Sequence, residues 1–162
     1  MVDEFSNQAH VEKVDALFST IAMRYDLVND IQSAGLHRLW KRKMARLVAL
    51  GESEQALDVC CGTGDLIVRW AKRGGRVAGV DMNGSMLNVA RRRLAKCNIG
   101  QARLYQADAL QLPFGDGQFD VVTIAYGLRN LADYNTGLQE IFRVLKPGGR
   151  LAILDFGKPP NR

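Results

Sequence analysis

The stretch "ALDVCCGTGDL", residues 56–66, decides the fold. It opens as a short apolar run, turns on two glycines around Thr63, and closes on the start of a helical pattern. A strand that turns tightly on glycine into a helix begins a βαβ unit. Downstream the alternation recurs: "RVAGVD" (76–81), a helix near 84–96, "ARLYQAD" (102–108), "FDVVTIAY" (119–126), a helix near 134–145 and "RLAILDF" (150–156). Turn-forming "PFGDGQ" precedes the fourth strand and "LKPGG" the fifth. Strands apolar on both faces, alternating with helices, predict an α/β domain: a Rossmann-like, mostly parallel sheet with helices on both faces.

Upstream, residues 1–50 read as a helical N-terminal extension and 51–162 as the sheet domain. "LHRLWKRKMARLVAL" (36–50) sets Leu36, Leu39, Trp40, Met44, Leu47 and Leu50 near one face, with Arg38, Lys41, Arg42 and Arg46 mostly on the other. Gly51 is expected to end it. Such a helix has two uses: packing on the sheet, or lying on an anionic membrane surface.

Composition narrows the class. With 47% hydrophobic and 24% charged residues among 162, the chain has enough apolar surface for one core, which excludes a disordered protein. Neither a signal peptide nor an apolar run long enough to span a bilayer is legible, so a cytoplasmic protein is expected, with peripheral membrane contact if helix 36–50 serves that way. Three cysteines and two isolated histidines, His10 and His37, show no zinc-like spacing, and no metal is expected. Cys60 and Cys61 are adjacent, which disfavours a bridge between them. Both are expected to wall the glycine turn rather than to act as thiolates.

In sheets of this kind ligands bind beyond the carboxyl ends of the strands. The first strand runs into Gly62, Thr63 and Gly64, where glycine lets a ligand approach the backbone. The second ends in Asp81, suited to a ribose diol, and the third in Asp108 and Ala109, suited to a purine amino group. Counting from Gly62, the third glycine of a dinucleotide fingerprint is replaced by Ile67, and no phosphate loop for ATP or GTP exists. Asp58 and Asp65 frame the turn with negative charge, which suits a cation better than a pyrophosphate. Any one of these acids alone reads as a cap or surface charge. Jointly they point to S-adenosylmethionine.

At this level "LDVCCGTGD", "VAGVD", "ADA" and "LKPGG" resemble class I S-adenosylmethionine-dependent methyltransferases. "YDLVNDIQSAGLHRLWKR" (25–42) with "AYGLRN" (125–130) is similar to the demethylmenaquinone/ubiquinone biosynthesis C-methyltransferase family, from about residue 14 onward. The resemblance implies cofactor contacts from Gly62, Thr63, Gly64, Asp81, Met82 against the adenine, Asp108 and Ala109. Ala125 stands where many members have Ser, so a hydroxyl contact is absent or replaced. Arg129, Asn130 and Tyr25 match positions around the quinol ring. Residues 1–50 would form the substrate lid, and the acceptor would be a lipophilic quinol, demethylmenaquinol or its benzoquinone counterpart. Nucleic acid is not expected as a partner: "AYGL" replaces the (D/N)-P-P-(Y/F) of amino-group methylases, and no cysteine follows the fourth strand.

Arginine is a poor base, so Arg129 is expected to stabilise a phenolate while a water takes the proton. The bland alternative makes Arg129 and Asn130 caps of the following helix. His37 is a second candidate base, although a lone histidine reads first as structural. Family members continue past the fifth strand through further helices and an antiparallel pair of strands. On this sequence two alternatives are expected: the chain is truncated after the fifth strand, or that strand is an uncovered edge, open to a second copy in a homodimer. A cofactor-binding remnant without turnover, or an enzyme for another small phenol, are the alternative readings.

Overall fold

The computed structural model describes residues 25–156 together with Ser19, Thr20 and Ala22; the side chains of Tyr25, Asp26 and Gln32 lie outside that description. Leu57 and Val59 of β1 (Gln55–Val59) point to one face of the sheet and Ala56 to the other, and all three are fully buried. Both faces of this strand are therefore covered. β1 pairs in parallel with β2 (Arg76–Asp81) on one side and β4 (Phe119–Ala125) on the other. β3 (Arg103–Gln106) adds outside β2, and β5 (Leu145–Leu154) outside β4. The order β3-β2-β1-β4-β5 reverses its direction of growth at β1, which opens a crevice at the carboxyl ends of β1 and β4.

Three helices cover one face. α2 (Leu36–Val48) contributes Met44, Ala45 and Val48; α3 (Asp65–Ala71) contributes Leu66, Ile67 and Trp70; α4 (Gly84–Lys96) contributes Leu87 and Leu94. The opposite face is closed by Ile141 and Val144 of α5 (Tyr134–Val144) with Ala109, Leu112 and Phe119. The N-terminal extension is thus part of the same core through α2.

α1 (Tyr25–Ser33) is folded back on α2 by a tight joint at Ala34 and Gly35, both in the left-handed region at φ 48° and 77°. A two-pronged ion pair holds the joint: Arg38 donates to Asp30 through Nε at 2.6 Å and Nη2 at 2.5 Å.

Three expectations need correction. The buried stripe of α2 is His37, Met44, Ala45 and Val48, whereas Leu36, Leu39 and Leu47 are exposed, Leu47 to 74%. Side chains pack from positions spaced three and four apart, and the sheet selected the row beginning at His37. The helix ends at Ala49, in the left-handed region at φ 45°, two residues before Gly51. In addition, "LKPGG" lies inside β5: Leu145 pairs with Phe119 and Arg150 with Val121, so residues 146–149 bulge out between them.

Candidate functional site

The turn after β1 is built by its own backbone. Cys61 N–H donates to the Val80 carbonyl at 2.9 Å and Gly64 N–H to the Cys61 carbonyl at 3.0 Å. Gly62 and Gly64 stand at φ 55° and 76°, and a Cβ at Gly62 would meet nothing within 4 Å. The open side of Gly62 faces a cleft, as a cradle for a ligand requires. Cys60 also adopts positive φ, at 54°, a conformation that costs a side chain roughly 1–2 kcal/mol. Cys60 and Cys61 are enclosed, and burial pushes both thiols up, away from the reactive thiolate.

Gly62, Asp81, Met82, Asp108, Ala109, Ala125 and Asn130 line one cleft together with Cys60, Met86 and Tyr126. Asp81 accepts from Gly62 N–H at 2.7 Å and from Asn83 N–H at 2.9 Å, so its carboxylate orients the turn as well as facing the cleft. Asp108 accepts from Leu110 N–H at 2.9 Å. Met82, 40% exposed, leaves its thioether side chain as an apolar wall.

Thr63 lines a smaller neighbouring pocket with Lys41, Asp58, Cys61, Leu66 and Ala125. Gly64 lines neither; a Cβ there would stand 3.0 Å from that of Ala90, so it serves the contact between α3 and α4. The framing charges differ from expectation. Asp65 faces Arg69 at 3.2 Å and Lys41 at 3.8 Å, and its charge is balanced. Asp58 is buried against the Thr123 hydroxyl, which donates to it at 2.7 Å, and burial pushes its carboxyl up to about 7.

Arg129 stands in a third pocket, lined by Ser33, Leu36, His37, Trp40, Tyr126 and Phe156. Its Nη1 donates to Asp155 Oδ1 at 2.6 Å and its backbone N–H to Oδ2 at 3.2 Å. The guanidinium lies 5.7 Å from the Tyr126 ring centre and 5.2 Å from that of Phe156. Tyr126, at φ 61°, walls both this pocket and the cleft, so the two cavities adjoin. Asn130 is on the cleft side, its Nδ2 donating to the Tyr126 carbonyl at 3.4 Å. Helix α5 is capped by Asp133, which accepts from Asn135 N–H at 2.8 Å, so capping of that helix by Arg129 or Asn130 is ruled out. Tyr25 opens α1, but its side chain lies outside the described residues. No group of metal ligands occurs among the described residues.

Lys41, Tyr126, Asp155 and Phe156 escaped the sequence reading. Asp155 obeys the pattern that singled out Asp81 and Asp108, an acid at the carboxyl end of a strand. Lys41 was hidden because the helical pattern assigned it to the polar face.

The ubiE/COQ5 methyltransferase family model matches residues 6–162. The chain belongs to this family. It is 47% identical over 153 residues to the ubiquinone/menaquinone biosynthesis C-methyltransferase UbiE of Azotobacter vinelandii, an alignment covering 92% of this chain and 60% of that protein. The chain therefore spans about three fifths of the length of the curated relatives it matches. A SAM-dependent methyltransferase from Aquifex aeolicus superposes with a TM-score of 0.66 at 24% identity, covering 75% of this chain and 68% of that one, and shows the shared fold. A Haemonchus contortus phosphoethanolamine N-methyltransferase, solved with S-adenosylhomocysteine, gives a TM-score of 0.59 at 31% identity over 62% of this chain and 24% of its own.

Proposed function

We propose that this chain carries S-adenosylmethionine-dependent C-methylation of a polyprenyl quinol ring in ubiquinone or menaquinone biosynthesis, with demethylmenaquinol as acceptor. One observation carries the reading: a cleft with the chemistry of a nucleoside site adjoins, across Tyr126, an aromatic pocket containing an oriented guanidinium. The family supports it, since UbiE of Azotobacter vinelandii is named for that reaction.

The residues fit the cofactor. Asp81 and Asp108 face the cleft as acceptors for a ribose diol and an adenine amino group, beside the open Gly62 and the apolar Met82. The small pocket is lined by the Lys41 amine, a partner for the carboxylate of an amino-acid tail, and by the Asp58 carboxyl, a hydrogen-bonding partner for its ammonium. When bound, S-adenosylmethionine supplies an electrophilic methyl group. Arg129 stabilises the phenolate that makes the ring carbon nucleophilic, and Asp155 holds the guanidinium in place. Trp40, Tyr126 and Phe156 pack on one another, with ring centres 6.0 Å apart for Trp40 and Phe156 and 5.1 Å for Tyr126 and Phe156, and together offer an aromatic wall for a planar ring.

Calorimetry with S-adenosylhomocysteine followed by methyl-transfer assays on demethylmenaquinol and simple phenols tests this. Binding with transfer to demethylmenaquinol is expected. Binding without transfer favours a cofactor-binding remnant, a reading that the three-fifths span keeps in view. Transfer only to simple phenols makes this an enzyme of another small phenol, and no binding overturns the whole assignment.

A polyprenyl acceptor also calls for a membrane surface. Leu36, Leu39 and Leu47 of α2 and Ile31 of α1 are exposed beside Arg42, Lys43 and Arg46. We propose that this face rests on anionic lipid. Leu39→Ser with Leu47→Ser should abolish co-sedimentation with anionic vesicles; unchanged co-sedimentation refutes it.

A further inference from the structure

The proposed chemistry needs a group that takes the hydroxyl proton, and a guanidinium, always charged, does not supply one. We propose that His37 Nε2 is the proton acceptor for the aromatic hydroxyl bound in the Arg129 pocket, an assignment that rests on the quinol reading above. Three independent features of the structure carry it.

The first is placement. His37 lines the same pocket as Arg129, Tyr126, Trp40 and Phe156, yet is only 4% exposed. Its accessible remainder therefore belongs to the pocket wall. The second is the hydrogen-bond network, which selects one tautomer. Ser33 has a single hydroxyl proton and donates it to the Asn29 carbonyl at 2.6 Å. Toward His37 the Ser33 oxygen can then only accept, and it does so twice, from the His37 backbone N–H at 3.2 Å and from Nδ1 at 2.9 Å. Nδ1 thus carries the hydrogen of the neutral ring, and the lone pair is left on Nε2, for which the described residues offer no hydrogen-bond partner. The third is the group behind the ring. Asp30 Oδ1 stands 3.8 Å from Nδ1, fixed by the two-pronged bond from Arg38, and favours the imidazolium that forms when Nε2 takes a proton. A carboxylate behind Nδ1 with a free Nε2 in front is the arrangement that a histidine base needs.

The charge state agrees. Burial holds His37 below its ordinary pKa of 6.5, Lys41 and Arg38 push it the same way, and Asp30 and Asp65 oppose them less strongly. The ring is therefore neutral near pH 7 and able to accept. In the step itself the acceptor O–H bond breaks, its electron pair stays on oxygen opposite Arg129, and the proton joins Nε2. The ring carbon would gain its methyl group as the sulfur–methyl bond breaks, the electron pair of that bond staying on sulfur as the thioether leaves; the ring carbon then loses its hydrogen as a proton and aromaticity returns. The oxygen takes back the proton from Nε2, so one proton reaches solvent per methyl transferred and His37 is restored.

The test uses the full chain and the variant His37→Asn, whose amide keeps the bond to Ser33 but has no base at the Nε2 position. Methyl transfer to a hydroquinone should fall at least 100-fold, while S-adenosylhomocysteine affinity changes less than threefold. In the wild type the rate should rise with pH through the His37 ionisation below 6.5 and then level. In the variant it should climb with hydroxide concentration instead. Added imidazole should restore part of the loss, and acceptors whose phenol is already ionised should narrow the gap between the two proteins. A second readout needs no turnover: in the complex with S-adenosylhomocysteine, the absorbance of bound phenolate should appear with the wild type and not with the variant. Unchanged turnover, or a phenolate band retained by His37→Asn, overturns the assignment. A wild type that transfers no methyl overturns the quinol reading, and the phenolate band then still decides His37. If no hydroquinone binds at all, both fall.

Discussion

Arg129 is the residue on which the acceptor chemistry turns. Its backbone and side chain both bond Asp155, and its guanidinium packs on two rings, so its position is set from three sides. A positioned charge of this kind typically contributes a factor of about 100–1,000 to the rate. Arg129→Ala should lower methyl transfer by at least that factor and change S-adenosylhomocysteine affinity less than threefold, as read by initial rates and calorimetry. Asp58 offers a residue-scale test of a different kind. Its carboxyl is pushed up to about 7 by burial, above the value of 3.8 for a free side chain. Below about pH 4 the folded and unfolded chains both hold this proton. Between about pH 4 and 7 only the unfolded chain releases it, so the folded state loses stability, by up to about 4 kcal/mol in total. Asp58→Asn keeps an acceptor for the Thr123 hydroxyl and cannot ionise. The stability difference between variant and wild type should therefore grow in the variant's favour from about pH 4 to 7, measured by denaturant titration. A difference that is flat with pH shows that Asp58 is ionised throughout.

Between elements, the two turns at the carboxyl ends of β1 and β4 fit each other through one glycine. A Cβ on Gly127 would stand 2.4 Å from that of Cys60 and 2.9 Å from its sulfur. Gly127 itself has an ordinary φ of −96°, so the obstacle to a side chain is contact alone. Gly127→Ala should destabilise by about 1–3 kcal/mol, the usual cost of overpacking. Adding Cys60→Gly frees the same space and should recover most of that loss; a strictly additive pair in thermal unfolding contradicts the contact. Elements were also where the sequence could be read most directly. The strand at 76–81 and the helix at 84–96 agree residue for residue with the sequence pattern, because the strand is a short apolar run buried on both faces and the helix has one clear buried face, and both have clean ends. Asp81 and Asp108 were legible for a related reason, as acids closing apolar runs. What could not be read is set by tertiary contact: which of two rows α2 buries, the bulge inside β5, and the bonding of Arg129 to Asp155, 26 residues away. Local patterns do not encode the partner of a side chain that crosses the sheet.

At the scale of the molecule, the sheet formed by the described residues is closed unevenly. β1, β2 and β4 are flanked by strands on both sides, and β4 is buried along five of its seven residues. Among the described residues β5 has no strand beyond it, and its Leu151 and Ile153 are 40% and 46% exposed. Phe142 of α5, 80% exposed, is a further uncovered apolar side chain. A long edge with unpaired backbone groups and apolar side chains favours association in register with another edge. We propose that two copies of this chain pair through β5. A charge near the carboxyl end of that strand should oppose the pairing without entering the cofactor cleft, whose lining takes no residue from β5. Sedimentation at increasing concentration should show a monomer–dimer equilibrium in the wild type. Ile153→Lys should shift it to monomer and leave S-adenosylhomocysteine affinity within threefold. A wild type that stays monomeric at every concentration, or a variant that dimerises equally well, removes β5 as the interface.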